Sequence, residues 1–221
     1  AAGARPSKDS PKKIVQNSAK KLGKEKTSRL LFSVVIEGAG DENTNTEVKG
    51  KLNFANNTSM FNIDGVTSVR VVNDAYYVGV PSLPGGARWV RLTFDQASDL
   101  GLPANSDEST GTQQSASVRY LTGDVVAAGT GKVGGDKATR YRATLDTKKF
   151  LAAIDIGKTQ EETIDELYAD KQKFLIWIDS KGRMRRQYFE LSLKGKDVDG
   201  LPSKGKITYL FEWYDFNIAV N

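Results

Sequence analysis

The stretch Glu47-Val48-Lys49-Gly50-Lys51-Leu52-Asn53-Phe54 decides the fold class. Val48, Gly50, Leu52 and Phe54 fall on one side of an extended chain, and Glu47, Lys49, Lys51 and Asn53 on the other. Alternation of this kind marks an antiparallel strand with one face on a core and one in water. Just upstream, Leu30, Phe32, Val34 and Ile36 alternate with Leu31, Ser33, Val35 and Glu37. Downstream, shorter strands are expected over residues 59–63, 68–72, 75–80 and 88–93. The turn signals Asp64-Gly65, Asn73-Asp74 and Pro84-Gly85-Gly86 separate them. Six consecutive strands joined by short turns make a meander.

Working outward, residues 1–9 are small, polar and Pro-containing, and read as a flexible tether. Ser10-Pro11 then opens a helix, because Ser can cap and Pro at the first helical position gives up only an unpaired amide. Ile14, Val15, Ser18, Ala19 and Leu22 share one face of it, and Gly23 ends it. Beyond the meander, 95–100 reads as one helical turn, 103–114 as a polar loop and candidate lid, and 115–121 as a short helix. Strands are expected at 125–132 and 138–146, helices at 147–154 and 159–168, then strands at 173–179, 184–193 and 206–216. Ser180-Lys181-Gly182 is a hairpin signal between the first two of these last three. About eleven strands with a few helices give an α+β fold. The expected form is a strongly curved antiparallel sheet, a half-open β-barrel, with helices covering its concave face. No linker or composition shift divides residues 10–221, which read as a single domain.

Composition excludes several chemistries. The 221 residues contain no His and no Cys, so imidazole bases, thiolate nucleophiles, zinc fingers and disulfides are ruled out. No apolar run is long enough for a membrane-crossing helix. The chain starts without Met or a signal-peptide core, as expected of a mature or trimmed form. The net charge of +5 is uneven. Residues 1–29 hold nine basic side chains against Asp9 and Glu25, a balance of +7, leaving −2 for the rest. Such a basic arm is either a solvated tail or a segment lying over anionic headgroups. Nucleic acid is not an expected partner, because no aromatic residue interleaves the lysines as a stacking platform requires.

Three local patterns have mundane readings. Gly129-Thr-Gly131-Lys-Val-Gly134 matches a dinucleotide fingerprint in letters, but the segment after Gly134-Gly135-Asp136 is strand-like, so a turn is expected. Glu161, Glu162, Asp165 and Glu166 read as a solvated helix face, and Asp179 and Asp215 as turn residues; an enzyme using Glu162 or Asp179 is the minor alternative. Neither a metal nor a cofactor is expected. The strand aromatics either pack a core or line a cavity that a curved sheet leaves unfilled.

Several segments, taken in order, carry a family resemblance. They are Thr27-Ser28-Arg29-Leu30-Leu31-Phe32, then Val48 to Met60, and the run Val69 to Val78 followed by Ala87-Arg-Trp89-Val90-Arg91. After these come Ala138-Thr-Arg-Tyr141 with Leu145-Asp146, the hairpin Ile176 to Arg186, and Glu212-Trp213-Tyr214-Asp215-Phe216. The pattern resembles the actinobacterial LppX/LprAFG lipoproteins, which share the LolA/LolB-like fold. The resemblance implies a half-open barrel with a hydrophobic cavity that binds or carries acylated lipids or lipoglycans outside the cytoplasmic membrane. It implies anchoring to the membrane's outer face through an acylated N-terminal Cys, which this chain lacks, and no catalytic residues. Expected partners are lipid or lipoglycan, the membrane surface and a membrane transporter. The apolar strand faces supply the expected cavity lining: Leu30, Phe32, Val34, Ile36, Val48, Leu52, Phe54, Phe61, Ile63, Tyr77, Tyr141 and Trp177. A protein-interaction or sensor module on the same fold, with a filled cavity, is the alternative.

Overall fold

The computed structural model describes residues 9–38, 44–63, 67–80, 88–98, 117–149, 171–193 and 205–219. Helix α1, Pro11–Leu22, starts where the sequence places it: Pro11 occupies its first turn and the Ser10 Oγ accepts from the Lys13 amide at 3.4 Å. Its buried face is Val15, Ser18 and Leu22, one helical stripe, and the Gly23 amide donates to the Ala19 carbonyl to close it. Lys20 and Lys21 in the last turn complement the helix dipole.

The first meander is β1, Thr27–Gly38; β2, Thr44–Asn53; β3, Thr58–Ile63; β4, Thr67–Val72; β5, Ala75–Gly79; and β6, Trp89–Thr93. After the short helix α2, Phe94–Ser98, and a 3₁₀ turn at Ser117–Tyr120, a second meander follows. It comprises β7, Leu121–Val133; β8, Asp136–Asp146; β9, Lys171–Asp179; β10, Met184–Ser192; and β11, Gly205–Tyr214. The last strand pairs back onto the first, antiparallel, with Leu30 facing Trp213 and Ile36 facing Ile207. All eleven strands therefore form one sheet in the order β6-β5-β4-β3-β2-β1-β11-β10-β9-β8-β7, open between β6 and β7. This is the half-open barrel expected from the alternation pattern.

Part of the basic charge of residues 1–29 rides on the expected helix: Lys12, Lys13, Lys20 and Lys21 are on α1, whose other face is packed on the sheet. Arg29 is within β1 and pairs with Asp215 at 3.2 Å. Lys13 pairs with Asp9, and the Lys21 Nζ donates to the Lys181 carbonyl. The glycine-rich fingerprint resolves as the strand–turn–strand expected, with Gly134 and Gly135, both at positive φ, turning β7 into β8. The acidic segment 159–168, the candidate lid 103–114 and the tether up to residue 8 lie outside the described residues.

Candidate functional site

The strand register sorts the side chains onto two faces. Leu30, Phe32, Val34 and Ile36 of β1 stand opposite Trp213, Phe211, Tyr209 and Ile207 of β11. On the other flank, Phe32 faces Val48, and Leu30 faces Gly50, which in turn faces Phe61. Val48 also faces Ile63. Further round, Phe211 and Tyr209 face Gln187 and Phe189, these face Ile176 and Phe174, and Ile176 faces Tyr141. One apolar face thus runs through both meanders, and it is the face on which α1 sits through Val15 and Leu22. An aromatic ladder stiffens it: Phe32 stacks on Phe211 at 4.5 Å between centroids, Phe189 on Tyr209 at 4.8 Å, and Phe174 on Phe189 at 5.6 Å.

Ten of the twelve side chains read from the sequence as cavity lining lie on this face: Leu30, Phe32, Val34, Ile36, Val48, Leu52, Phe54, Phe61, Ile63 and Tyr141. Tyr77 and Trp177 do not. Tyr77 stands between Arg70 and Arg91, and Trp177 between Arg140 and Arg186, on the outer face. The reason is strand parity: Tyr76 takes the inner position beside Tyr77, and Ile176 and Ile178 take the inner positions beside Trp177. In an apolar run such as Ala75-Tyr76-Tyr77-Val78, composition does not reveal which parity faces inward. Phe189, Leu191, Ile207, Tyr209 and Phe211 were missed as inner-face residues, although Ile207, Tyr209, Phe211 and Trp213 alternate as cleanly as the β2 residues.

Burial divides the inner face into three zones. Over β7–β11 it is largely sealed: Leu145, Phe174 and Ile176 are fully buried and Phe189, Leu191 and Ile207 nearly so, beneath α1 and the 3₁₀ turn, while Tyr209 of β11 stays half-buried. A second, smaller cluster of Val69, Val71, Tyr76 and Ala97 closes over β4 and β5, where α2 packs and Phe94 meets Tyr76 edge-on at 5.3 Å. Between them, Phe32, Val34, Ile36, Val48, Phe61 and Ile63 on β1–β3 remain only half-buried. Phe61 packs against both clusters. These six side chains make an apolar trough about three strands wide, roughly 10 Å between outer strand axes at about 4.8 Å per strand. Leu30, Leu52 and Tyr141, expected at the site, are packed into the sealed core instead, where burial pushes the Tyr141 phenol up and keeps it neutral.

Polar chemistry sits elsewhere. Asp179 closes the β9–β10 hairpin, its Oδ1 accepting from the Lys181 and Arg183 amides at 3.0 Å and its Oδ2 from the Arg183 Nε at 2.8 Å. Burial alone would raise its pKa, but the hydrogen bonds and charge of Arg183, with Arg185, outweigh that and hold it below the usual carboxylate range. It is a structural anchor with both oxygens engaged. A depression of about 600 Å³ opens where β7 bulges away from β8, lined among others by Asp124, Arg142, Lys171 and Lys173. Its rim is charged, unlike the trough, and Lys173 already pairs with Glu190 at 3.7 Å. Among the described residues no three His, Cys, Asp or Glu side chains converge as a metal site.

No family model matches the chain, and no curated protein matches it. Solved structures do. LprF from Mycobacterium bovis is 14% identical over 96% of this chain and 94% of that one, with a TM-score of 0.51. The lipoprotein LppX from Mycobacterium tuberculosis is 16% identical over 95% of both chains, with a TM-score of 0.49. A LolA superfamily protein from Nitrosomonas europaea is 10% identical over 96% and 95%, with a TM-score of 0.35. At such identities the shared property is the fold, and the chain has the fold of LprF.

Proposed function

We propose that this protein is a non-enzymatic cell-envelope component that binds or carries an acylated lipid or lipoglycan in the trough over β1–β3. The observation that carries the reading is the half-burial of Phe32, Val34, Ile36, Val48, Phe61 and Ile63 between two sealed clusters. A soluble chain rarely leaves six contiguous large apolar side chains partly wet unless something covers them in use. Each methylene of an acyl chain laid against them gains about 0.8 kcal/mol on leaving water. The motif resemblance to LppX/LprAFG lipoproteins supports the same ligand class. It also supports a location at the outer face of the cytoplasmic membrane, lipid-anchored in the precursor and served by a membrane transporter. The absence of His and Cys, and the full engagement of Asp179, favour a binding role over a catalytic one.

Native mass spectrometry of detergent-free protein tests this directly. Adducts of lipid mass, released on denaturation, are expected. Val34→Asp is expected to abolish uptake of a fluorescent acyl lipid, and Val34→Trp, which fills the trough without adding a charge, to do the same while circular dichroism stays unchanged. A bare 24.2 kDa species after incubation with membrane lipids would instead favour the interaction module.

A further inference from the structure

The outer face of β4–β6 carries a cluster of basic and exposed apolar side chains. Arg70, Tyr77 and Arg91 stand side by side in register across the three strands. Trp89 faces Gly79, and a Cβ on Gly79 would come within 3.3 Å of the indole Cζ3, so the glycine makes room for the ring. The Arg70 guanidinium lies over that ring, 4.7 Å from its centroid. Of the three large apolar side chains exposed among the described residues, two are here: Val72 at 36% and Trp89 at 37%. Arg70 and Arg91 are exposed as well.

Several cations of the outer face have carboxylate partners: Arg29 pairs with Asp215, Lys49 with Glu47, Lys173 with Glu190, Arg186 with Glu212 and Lys206 with Glu37. Among the described residues no carboxylate pairs with Arg70 or Arg91. These cations, beside exposed Trp89 and Val72 and half-buried Tyr77, form a surface whose charge suits phosphates and whose rings suit the headgroup level of a bilayer.

We propose that this β4–β6 patch docks the protein on an anionic lipid bilayer, with Trp89 at the interface and Arg70 and Arg91 on lipid phosphates. The patch stands apart from the trough, on the opposite side of the sheet, and does not require it. Nucleic acid fits less well, because Arg70 already occupies a face of the Trp89 ring that a base would need.

Co-sedimentation of the full chain with phosphatidylcholine vesicles containing 30% phosphatidylglycerol tests the proposal. Partitioning is expected to rise with phosphatidylglycerol content and fall with added salt. Each near-surface arginine contributes a factor of about five, so the pair Arg70→Glu and Arg91→Glu is expected to lower partitioning at least about 25-fold. Its circular dichroism and melting temperature should match the parent's. Trp89→Ala is expected to weaken partitioning severalfold, and Val34→Asp to leave it unchanged while acyl-lipid uptake is lost, so docking and cargo binding are read separately. Equal partitioning of the parent and the double variant, or no preference of the parent for phosphatidylglycerol, overturns the proposal. So does a charge reversal that abolishes binding of a single-stranded RNA probe while vesicle partitioning persists.

Discussion

Phe32 and Phe211 stack on each other, yet they belong to differently treated halves of one sheet face. On β8–β10 the inner apolar residues are all but dry, on β11 Tyr209 is half-buried between buried Ile207 and Phe211, and on β1–β3 Phe32, Val34 and Ile36 are all half-wet. Phe32 faces Phe211, Val34 faces Tyr209 and Ile36 faces Ile207. Strand propensity and alternation do not differ between the two. Among the described residues what differs is cover: α1 packs chiefly on β7, β9 and β10, and the 3₁₀ turn on β8. That cover, rather than any special residue, separates the sealed half from the trough.

The sharpest way to break the comparison is truncation on each side. Phe174→Ala removes a fully buried ring from the sealed half and is expected to lower unfolding free energy by about 3–5 kcal/mol in urea denaturation. Phe32→Ala removes the same group from the trough and should cost about 1–2 kcal/mol, because the ring is already partly hydrated. Its larger effect should be on lipid uptake. Equal destabilisation by the two would mean that the trough is ordinary core.

Much of this was legible beforehand, and the failures share a cause. The β2 alternation and the β1 run established an antiparallel sheet and put ten of twelve chosen residues on the right face. Tyr77 and Trp177 were misplaced because local composition does not report parity in an all-apolar run. The division between core and trough was illegible for a deeper reason. Leu30 and Val34 are equivalent in the pattern, and only the tertiary packing makes one buried and the other half-buried. The outer cluster at Trp89 was equally hidden, since its members come from three strands and meet only through register.

A smaller effect is expected at Gly50, the β2 residue between Leu30 and Phe61. A Cβ there would lie 2.5 Å from the Phe61 Cδ1 and 2.9 Å from the Met60 carbonyl oxygen. Gly50→Ala must therefore push Phe61 towards the trough, at a cost of about 1–3 kcal/mol as overpacking. Uptake of a long-chain acyl lipid should fall while that of a short one is spared. Parent-like uptake of both would place the ligand away from Phe61.

The smallest effect concerns the latch that keeps α1 over the sealed half. The β9–β10 hairpin tip meets the end of that helix: the Lys181 carbonyl accepts from Lys21, and Arg183 reaches Glu25 at 3.6 Å. Arg183 is itself held by Asp179 at 2.7 Å and lies over the Phe216 ring. Because Asp179 titrates lower folded than unfolded, the unfolded chain binds more protons in the interval between the two pKa values. The stabilisation is then fully present above the ordinary Asp value of about 3.9 and drains away as pH falls through the depressed one. The urea midpoint of the parent should decline below about pH 4, and that of Asp179→Asn should start lower and decline less. If the latch works on the cover, mild acid should raise hydrogen exchange in α1 before it does so in β1–β3. Simultaneous loss of protection in both would show that Asp179 stabilises the whole barrel rather than the helix that divides it.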